Sequence, residues 1–283
     1  MVMPQYFIPQ HFLASLVYRI TRCETPWFKN ILIKLFISVF DVDMTLALNP
    51  DPESYSSFNN FFTRELSADA RPLILDDHTI LCPVDGAISQ VGHIVHQNNN
   101  DDTIIQAKGK SYTLKDLLVE DELVSMFSGG TFATLYLSPK DYHRIHMPMS
   151  GQLSRMIYVP GKLFAVNAHT LRVVDAVFAR NERVINIFNT NIGPMAMIMV
   201  GALNVGSMET VWAGQVTPAK DRIISDTSYS DADVKLEQGQ EMGRFNMGST
   251  VILLFPKDVM QWADEMGADK IIVMGERIGN VKG

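Results

Sequence analysis

The sequence predicts an α+β protein whose β-rich body, built of barrel-like or sandwich-like antiparallel sheets, follows amphipathic helices. Two observations predict this architecture. Beyond residue 102, short apolar runs separated by turn signals dominate, as is typical of strands. In the first 45 positions, apolar residues instead recur at the three- and four-residue spacing of a helix. We therefore divide the chain into a helical region, 1–45, and a body, 46–283.

The helical region combines an apolar face with basic side chains. In FIPQHFLASLVYRI, one helical face carries Ile8, Phe12, Leu13, Leu16, Val17 and Ile20, and PWFKNILIKLFISVF repeats the pattern. Up to Lys34, the basic residues Arg19, Arg22, Lys29 and Lys34 outnumber the acidic Glu24, against the net charge of −7 of the whole chain. Such a pair of helices can lie in a membrane interface beside anionic lipid. It can equally pack on the core, and the pattern alone does not separate the two.

The remaining elements follow from local signals. NPDPES (49–54) predicts a turn, and SFNNFFTREL predicts a short helix capped by Ser57 or Asn59. HQNNNDD (96–102) predicts a polar loop, and SYTLKDLLVEDELVSMF is the main helical interruption of the body. Strands are predicted in GTFATLYLS, GQLSRMIYVP, RVINIFNT, PMAMIMVGALNVGSMETVW and STVILLF.

One internal similarity links two of these turns. CPVDGAI (82–88) and MPMSGQL (147–153) share the pattern Pro-x-x-Gly-x-apolar, which is typical of a turn that leads into a strand. We interpret them as equivalent corners of a pseudo-symmetric β assembly.

Composition excludes several classes of protein. The 283 residues are 47% apolar and 19% charged, which indicates a globular protein, and the net negative charge argues against a nucleic-acid binder. Two cysteines, Cys23 and Cys82, do not make a disulfide framework and fit a reducing compartment. No apolar run reaches the roughly 20 residues that a membrane span needs. Gln5, Gln10 and His11 interrupt any signal-peptide pattern at the start.

Three separated motifs carry residues suited to nucleophilic chemistry: PVDG with Asp85, DYHRIHMP with His143 and His146, and MGST with Ser249. Singly, each has an ordinary structural explanation, because Asp85 suits a turn, histidines occur in cores, and Ser249 begins a strand. Together they supply a base, an orienting group and a hydroxyl. No third ligand cluster accompanies the histidines, so a zinc site is not predicted. Val251 stands where a G-x-S-x-G hydrolase motif has glycine, which disfavours an esterase.

Longer stretches carry a specific resemblance that covers nearly the whole chain. FNNFFTREL, RPL, PVDGAISQVG, QAKGKSYTL, YLSPKDYHRIHMPMSG, YVPGKLFAVN, VGALNVGSMETVW, QGQEMGRF and MGST resemble the phosphatidylserine decarboxylases, in their bacterial membrane-associated form. The family motif is usually LGST, and Met247 in place of leucine conserves side-chain volume. These are pyruvoyl-dependent enzymes of phospholipid synthesis.

The resemblance implies that the chain makes its own cofactor. The Ser249 hydroxyl would attack the Gly248 carbonyl and convert the amide into an ester; β-elimination would release the upstream chain and leave dehydroalanine. Hydrolysis, with loss of ammonia, would give a pyruvoyl group. Gly248 has no Cβ, which leaves its carbonyl open to attack. His146, held by Asp85, would take the serine proton. The products would be a β chain, 1–248, and an α chain, 249–283, which stay together as a heterodimer.

The resemblance also implies the reaction and the place where it occurs. The pyruvoyl carbonyl would form a Schiff base with the amine of phosphatidylserine and accept the electrons left by carbon dioxide. His143 is the candidate proton donor, and irregular backbone between His143 and His146 would let both reach one site. A lipid substrate favours membrane docking of residues 1–45, so we expect a peripheral enzyme on the cytoplasmic face of the cell membrane. Further dimerisation stays open.

Two rival interpretations stay open at this point. A β body with two Pro-x-x-Gly corners could be a binding module that grips a partner and has no reactive ketone. The chain could also be a pyruvoyl decarboxylase that acts on a soluble amino acid. The amphipathic N-terminus argues against the second of these.

Overall fold

The computed structural model describes residues 10–96, 101–202, 207–219, 221–247 and 249–282. Parts of the predicted first helix and of the predicted 96–102 loop therefore lie outside the described residues. Within those ranges the α-helices are α1 (Gln10–Thr21), α2 (Pro26–Phe40), α3 (Phe58–Phe62), α4 (Leu114–Leu118), α5 (Asp121–Phe127), α6 (Ala168–Val173) and α7 (Val177–Arg180). A 3₁₀ turn, Pro52–Ser54, lies in the predicted turn sequence.

The strands within the described ranges confirm the predicted α+β class. They are β1 (Thr79–Leu81), β2 (Gly86–His93), β3 (Val95–His96), β4 (Asp102–Ala107), β5 (Lys110–Thr113), β6 (Thr131–Leu137), β7 (Arg144–His146), β8 (Gly151–Val159), β9 (Arg183–Thr190), β10 (Gly193–Val200), β11 (Met208–Thr210), β12 (Gly214–Gln215), β13 (Ser225–Ser228), β14 (Lys235–Leu236), β15 (Glu241–Phe245), β16 (Ser249–Phe255), β17 (Met260–Trp262), β18 (Ile271–Ile272) and β19 (Arg277–Val281).

The short helices begin at the residues that local chemistry favours. Pro26 opens α2 at a position where the missing N–H is not needed, and Asp41 ends it in the left-handed conformation. The Ser57 hydroxyl accepts a hydrogen bond from the Asn60 N–H, so Ser57 is the cap of α3. The helical interruption in the body is two helices, α4 and α5, because Val119 adopts a left-handed conformation after α4.

The large central sheet carries the core. Its strands run in the order β13-β8-β9-β10-β16-β6-β2-β18, with β14 also pairing with β8. Strand β16 lies in the middle, antiparallel to both β10 and β6. Its residues 251–255 are fully buried, which explains why STVILLF is a continuous apolar run rather than an alternating one. The start of β16 is therefore fixed by ladders on both sides.

The two Pro-x-x-Gly corners meet each other and have equivalent surroundings. The Leu81 N–H donates to the Pro148 carbonyl at 2.9 Å, and the His146 N–H donates to the Pro83 carbonyl at 2.9 Å. Each corner leads into a strand of the large sheet, β2 or β8. The predicted pseudo-symmetry therefore holds at these corners.

The strand pairing extends this relation to the whole body. β1, β2 and β6 correspond to β7, β8 and β9: β2 and β8 each carry an irregularity two residues after the corner glycine, where they pair with β6 and β9. β18 pairs with β2 as β14 pairs with β8, and β19 pairs with β1 as β15 pairs with β7. One unit contains β16–β19 and the other β10, β11, β14 and β15. The chain passes from the first unit to the second between β6 and β7 and returns to the first between β15 and β16.

The helical region packs on the body through an aromatic cluster, which contains Tyr55, Phe58, Phe61 and Phe62 with Ile33 of α2 and Val42. The opposite faces of the helices are open. Trp27, Ile31, Leu35 and Val39, four residues apart along α2, are 59–67% exposed, and Phe12, Leu16 and Ile20 form a similar row on α1. Among the described residues, no helix is both long and apolar enough to cross a bilayer.

Candidate active site

The start of β16 is anchored next to the predicted cleavage position. Ser249 pairs with Leu137 at the end of β6, and Thr250 pairs with Tyr136. On the upstream side, Asn246 accepts a hydrogen bond from Asn59 of α3 at 3.0 Å, and Met247 packs on the aromatic cluster. Gly248 and the side chain of Ser249 lie outside the described residues. The backbone on either side of them is held by buried contacts.

A cavity of about 380 Å³ opens beside this point. Its lining includes Tyr136 and Ser138, the two neighbours of Leu137, so the cavity flanks the β6 residue that pairs with Ser249. The charged and ionisable side chains in its lining are Asp41, Asp43, Arg64, Arg71, Asp85, Tyr136, Lys140, Asp141 and Tyr142. The cavity therefore presents both carboxylates and cations next to the expected cleavage position.

Asp85 is buried and its carboxylate has fixed partners. Arg71 Nε donates to Asp85 Oδ1 at 3.1 Å, and Arg71 Nη2 donates to the other oxygen. The Met274 N–H also donates to Oδ1, at 2.7 Å. The following residue, Gly86, has φ +155°, and a Cβ there would lie 2.2 Å from the Tyr136 carbonyl oxygen. The glycine of PVDG is thus required for the corner that aims Asp85 at the cavity.

His146 is held by groups that sequence reasoning did not identify. Its Nδ1 donates to the Gly239 carbonyl at 2.8 Å. Its Nε2 therefore accepts from the Tyr142 hydroxyl at 2.9 Å, because burial raises the pKa of Tyr142 and keeps that hydroxyl protonated. The hydrogen bonds to Gly239 and Tyr142 therefore take the place of the hydrogen bond that was expected between His146 and Asp85. Burial lowers the pKa of His146, so the ring is a neutral base.

His143 is completely buried and has different neighbours. Its Nδ1 donates to the Asp141 carbonyl at 2.8 Å, and its ring lies 4.1 Å from the Phe62 ring. Within the described residues, its Nε2 has no hydrogen-bond partner. Burial lowers the pKa of His143 to about 3, so the imidazole is neutral and Nε2 carries no proton. A buried acceptor without a partner is rare and is a candidate for contact with a ligand.

The backbone between the two histidines is partly irregular. Tyr142 and His143 precede β7, which begins at Arg144 and ends at His146. His143 packs against α3 through Phe62, while His146 lies on the turn that contains Gly239. The predicted irregular segment is therefore confirmed for His143 alone. Among the described residues, no three His, Cys, Asp or Glu side chains are grouped as a metal ion would require.

Comparison with known proteins identifies the family. The family model described as phosphatidylserine decarboxylase matches residues 58–280, and one described as PSD matches residues 1–41. The chain belongs to the phosphatidylserine decarboxylase family. A phosphatidylserine decarboxylase proenzyme of Saccharophagus degradans is 46% identical over 279 residues, which cover 98% of this chain and 96% of that protein. Proteins of the same name from Alkalilimnicola ehrlichii and Stutzerimonas stutzeri are 55% and 50% identical, over 88% and 98% of this chain and 85% and 93% of theirs.

Four residues of the candidate site were not singled out from the sequence: Arg64, Arg71, Asp141 and Tyr142. Each lines the cavity. Arg71 and Tyr142 also hold the two groups that the sequence singled out, Asp85 and His146. The available signal was their position inside the quoted motifs FNNFFTREL, RPL and DYHRIHMP.

Buried His143 and half-buried His146 predict how the free energy of unfolding depends on pH. The folded-state pKa of each lies below the ordinary 6.5, so the unfolded chain binds more protons as the pH falls. Their stabilising contribution is present above pH 6.5 and is lost as the pH falls towards the folded pKa of about 3 of His143. The free energy of unfolding is therefore expected to decrease over that interval.

This expectation is measured by denaturant titration at several pH values in a Ser249→Ala background, which lacks the hydroxyl expected to start self-cleavage. His143→Asn retains a donor towards the Asp141 carbonyl and removes the titrating ring, so it should flatten the pH dependence. His78→Gln, at an exposed position, is the matched control and should leave it unchanged. Equal slopes for the two variants would contradict the expectation.

Proposed function

We propose that this chain converts phosphatidylserine into phosphatidylethanolamine with a pyruvoyl group that it makes from Ser249. The observation that carries this proposal is the match, along nearly the whole chain, to relatives named phosphatidylserine decarboxylase proenzyme. That name describes proteins made as precursors. The geometry supports it, because the start of β16 lies beside a cavity lined by Asp85, Asp141 and Tyr142. Tyr142 hydrogen-bonds to His146 and directly precedes His143 in the chain.

In self-cleavage, His146 is the proposed base. The Ser249 hydroxyl attacks the Gly248 carbonyl as the C–N bond breaks, so the amide nitrogen becomes the amine of Ser249. The only unprotonated nitrogen of His146 is Nε2, which accepts from the Tyr142 hydroxyl. The serine proton would therefore pass to Tyr142 as Tyr142 gives its own proton to Nε2, and the imidazolium would return a proton by the same route to the leaving nitrogen. His146 is neutral and is oriented by Nδ1–H donation to the Gly239 carbonyl, a bond that also favours the protonated ring. The Asp85 carboxylate acts on His146 through its charge, which favours the imidazolium, without a direct hydrogen bond. Asp85→Asn is therefore expected to slow cleavage less than removal of His146.

The residues around Ser249 fit a pyruvoyl group. The cavity beside the start of β16 has space for a headgroup, and Asp141 and Tyr142, which line it, directly precede His143 in the chain. Among the described residues, Nε2 of His143 is a buried polar atom without a partner. When formed, the group supplies an electron sink for decarboxylation. His143 is the proposed carrier of the proton that returns to the substrate α-carbon. Its Nε2 is unprotonated in the structure, so it must first take up a proton, which the anionic headgroup beside it would favour.

After cleavage, the two chains are proposed to remain one heterodimer. The α chain, 249–283, would contain β16, β17, β18 and β19, and each of them pairs with a strand of the β chain or with another α-chain strand that does. β16 alone forms ladders with β10 and β6 in the fully buried core. Cleavage removes one covalent link and none of these ladders.

Residues 1–45 are proposed to dock the enzyme on a membrane surface. The apolar rows of α1 and α2 face away from the body, which is the opposite of what simple core packing would give. Both rows lie near the basic side chains Arg19 and Lys34, and a lipid bilayer is the surface that holds the substrate. We place the enzyme on the cytoplasmic face as a peripheral protein, because its two cysteines, Cys23 and Cys82, are unpaired.

If the exposed apolar row of α2 docks on the membrane, placing charges in that row should weaken vesicle binding without loss of catalysis. Trp27→Glu combined with Leu35→Glu is expected to lower binding to phosphatidylserine-containing vesicles by about tenfold or more, because each carboxylate opposes insertion. Co-sedimentation measures the binding. Activity on a short-chain, micelle-forming substrate should be retained. Ile105→Glu, which changes an exposed apolar residue of β4, is the control, and equal vesicle binding by both variants would exclude the α2 row as the docking face.

The proposed function is tested by incubating purified protein with phosphatidylserine vesicles labelled in the serine carboxylate. Release of labelled carbon dioxide together with equimolar phosphatidylethanolamine is the expected result. Phosphoserine, which lacks the glycerol and acyl chains, should react far more slowly. Equal rates on phosphoserine and on the lipid would instead favour a decarboxylase of soluble amino acids.

A further inference from the structure

Arg64, which follows α3, is a buried cation with unfilled hydrogen-bonding capacity. Its residue is 4% exposed. Nη2 donates to the Lys140 carbonyl at 3.1 Å. Within the part of the chain that the structure describes, Nε and Nη1 are buried and contact no acceptor. Because leaving the donors of a buried charged group unpaired is unfavourable, this arrangement calls for an anion.

The nearby carboxylates do not fill this role in the described structure. Asp85 is bound by Arg71 and by the Met274 N–H, and Asp141 accepts from the Ser138 N–H. Asp43 accepts from Thr45 at its backbone N–H and hydroxyl. These carboxylates attract Arg64 through space without an ion pair among the described contacts. Burial is the larger effect and lowers the pKa of Arg64.

The position of Arg64 relates it to the reaction. It lines the same cavity as Asp85 and Tyr142, beside the β6 segment that pairs with Ser249. We infer that Arg64 binds the phosphodiester of the lipid headgroup through Nε and Nη1 and thereby positions the substrate amine and carboxylate at residue 249. This inference rests on the proposed function, because it takes the headgroup to be the occupant of the cavity.

The headgroup carries two anions, and the chemistry favours the phosphodiester over the carboxylate. The carboxylate leaves as uncharged carbon dioxide, so a guanidinium bound to it would stabilise the ground state more than the transition state. The phosphodiester keeps its charge throughout the reaction. An arginine bound there contributes equally to both states, which lowers KM without slowing the chemical step.

A bound phosphodiester would also act on His143. The positive charge of Arg64 is one of the causes that lower the pKa of His143, after burial. An anion on Arg64 offsets that charge. The protonated form of His143 then becomes more accessible when substrate is present.

The test compares Arg64→Gln and Arg64→Lys with wild-type enzyme, with Arg172→Gln at an exposed position of α6 as control. Processing is checked first by intact mass. On a short-chain phosphatidylserine, Arg64→Gln should raise KM about tenfold to a hundredfold, the loss expected for charge-assisted hydrogen bonds, with kcat changed much less. Arg64→Lys should be intermediate, and Arg172→Gln should match wild type.

Two headgroup analogues separate the anions. Glycerophosphoethanolamine has the phosphodiester and no carboxylate, and free serine has the carboxylate and no phosphate. Arg64→Gln should weaken inhibition by glycerophosphoethanolamine about as much as it raises KM, and should leave inhibition by serine unchanged. The opposite pattern would assign Arg64 to the carboxylate and overturn the inference, as would unchanged inhibition by both.

A variant that stays full length is tested by binding instead. Chemical-shift changes with glycerophosphoethanolamine are compared between Ser249→Ala and Ser249→Ala/Arg64→Gln, and equal affinity would overturn the inference. The proposed function has its own test, independent of the Arg64 inference: it is refuted if wild-type protein does not decarboxylate the lipid. A phosphodiester site at Arg64 would then still be visible in the same binding measurement.

Discussion

Purified wild-type protein is expected to separate under denaturing conditions into two chains, 1–248 and 249–283, whereas Ser249→Ala remains one chain of 31.7 kDa. The variant has no hydroxyl to attack the Gly248 carbonyl, so neither the ester nor the later elimination can form. It should also have no decarboxylase activity, because the proposed pyruvoyl group would derive from that same residue. Gel electrophoresis and intact mass measure the first effect, and carbon dioxide release measures the second.

Thr250→Val is the matched control for this experiment. Thr250 is the next hydroxyl of β16, is fully buried, and within the described residues its Oγ1 has no hydrogen-bond partner. Replacing it with an isosteric valine should leave cleavage unchanged. A ketone-directed probe such as hydroxylamine should label the α chain of wild type and of Thr250→Val, and not Ser249→Ala. Wild-type protein that is intact, unlabelled and fully active would refute self-processing.

The fold explains why such a cut is tolerable. The chain crosses between the two pseudo-symmetric units at the junction of β15 and β16, and the α chain supplies the strands that complete one unit. The separated chains should therefore co-elute in non-denaturing gel filtration. The ladders on both sides of β16 would hold a new N-terminus at residue 249 beside the cavity, whereas a chain end on an exposed loop would be free to move.

The strands, helix starts and caps that depend on neighbouring residues could be predicted from the sequence. Four of the five apolar runs named as strands each form one strand, whereas PMAMIMVGALNVGSMETVW contains two, β10 and β11, with residues 203–206 outside the described ranges. α2 begins at its proline and Ser57 caps α3, because periodicity and capping are properties of neighbouring residues. The corners at residues 83–86 and 148–151 were also recognisable from their glycines. The full relation between the two units was not recognisable, because strands β10 and β16 have different residues and only their pairing shows the correspondence.

The roles of the site residues stay predictions, and one contact expected between them is absent from the described structure. Asp85 and His146 were expected to form a hydrogen bond by analogy with nucleophile–base–acid triads, yet Arg71 occupies the carboxylate and the Gly239 carbonyl takes the Nδ1 proton. A backbone carbonyl is present at every residue, so no sequence pattern identifies the one that orients a histidine. The role of Arg64 could not be predicted from the sequence either, because its unpaired hydrogen-bond donors become apparent only when its burial is known.

The second large expected effect is that substitution of His146 slows self-cleavage, whereas substitution of His143 slows decarboxylation. His146→Ala is expected to slow self-cleavage by about 10²- to 10⁴-fold, the range for loss of a general base, and to leave mostly full-length protein. His143→Ala should be processed at close to the wild-type rate and, once processed, decarboxylate about 10²- to 10⁴-fold more slowly. Pulse–chase electrophoresis gives the cleavage rate, and turnover is measured per mole of α chain, so that poor processing is not counted as poor catalysis.

Because His143 is buried, His143→Ala can lose activity through lost packing, so a second substitution is needed as a control. The ring is fully buried against Phe62, so an alanine leaves a cavity and can loosen α3. His143→Asn keeps a donor to the Asp141 carbonyl and removes Nε2, the atom without a partner. If Nε2 carries the proton, asparagine should be as inactive as alanine in decarboxylation while its melting temperature stays closer to wild type. Loss of cleavage in both His143 variants would reverse the two assignments, because the base for Ser249 would then be the residue packed on α3.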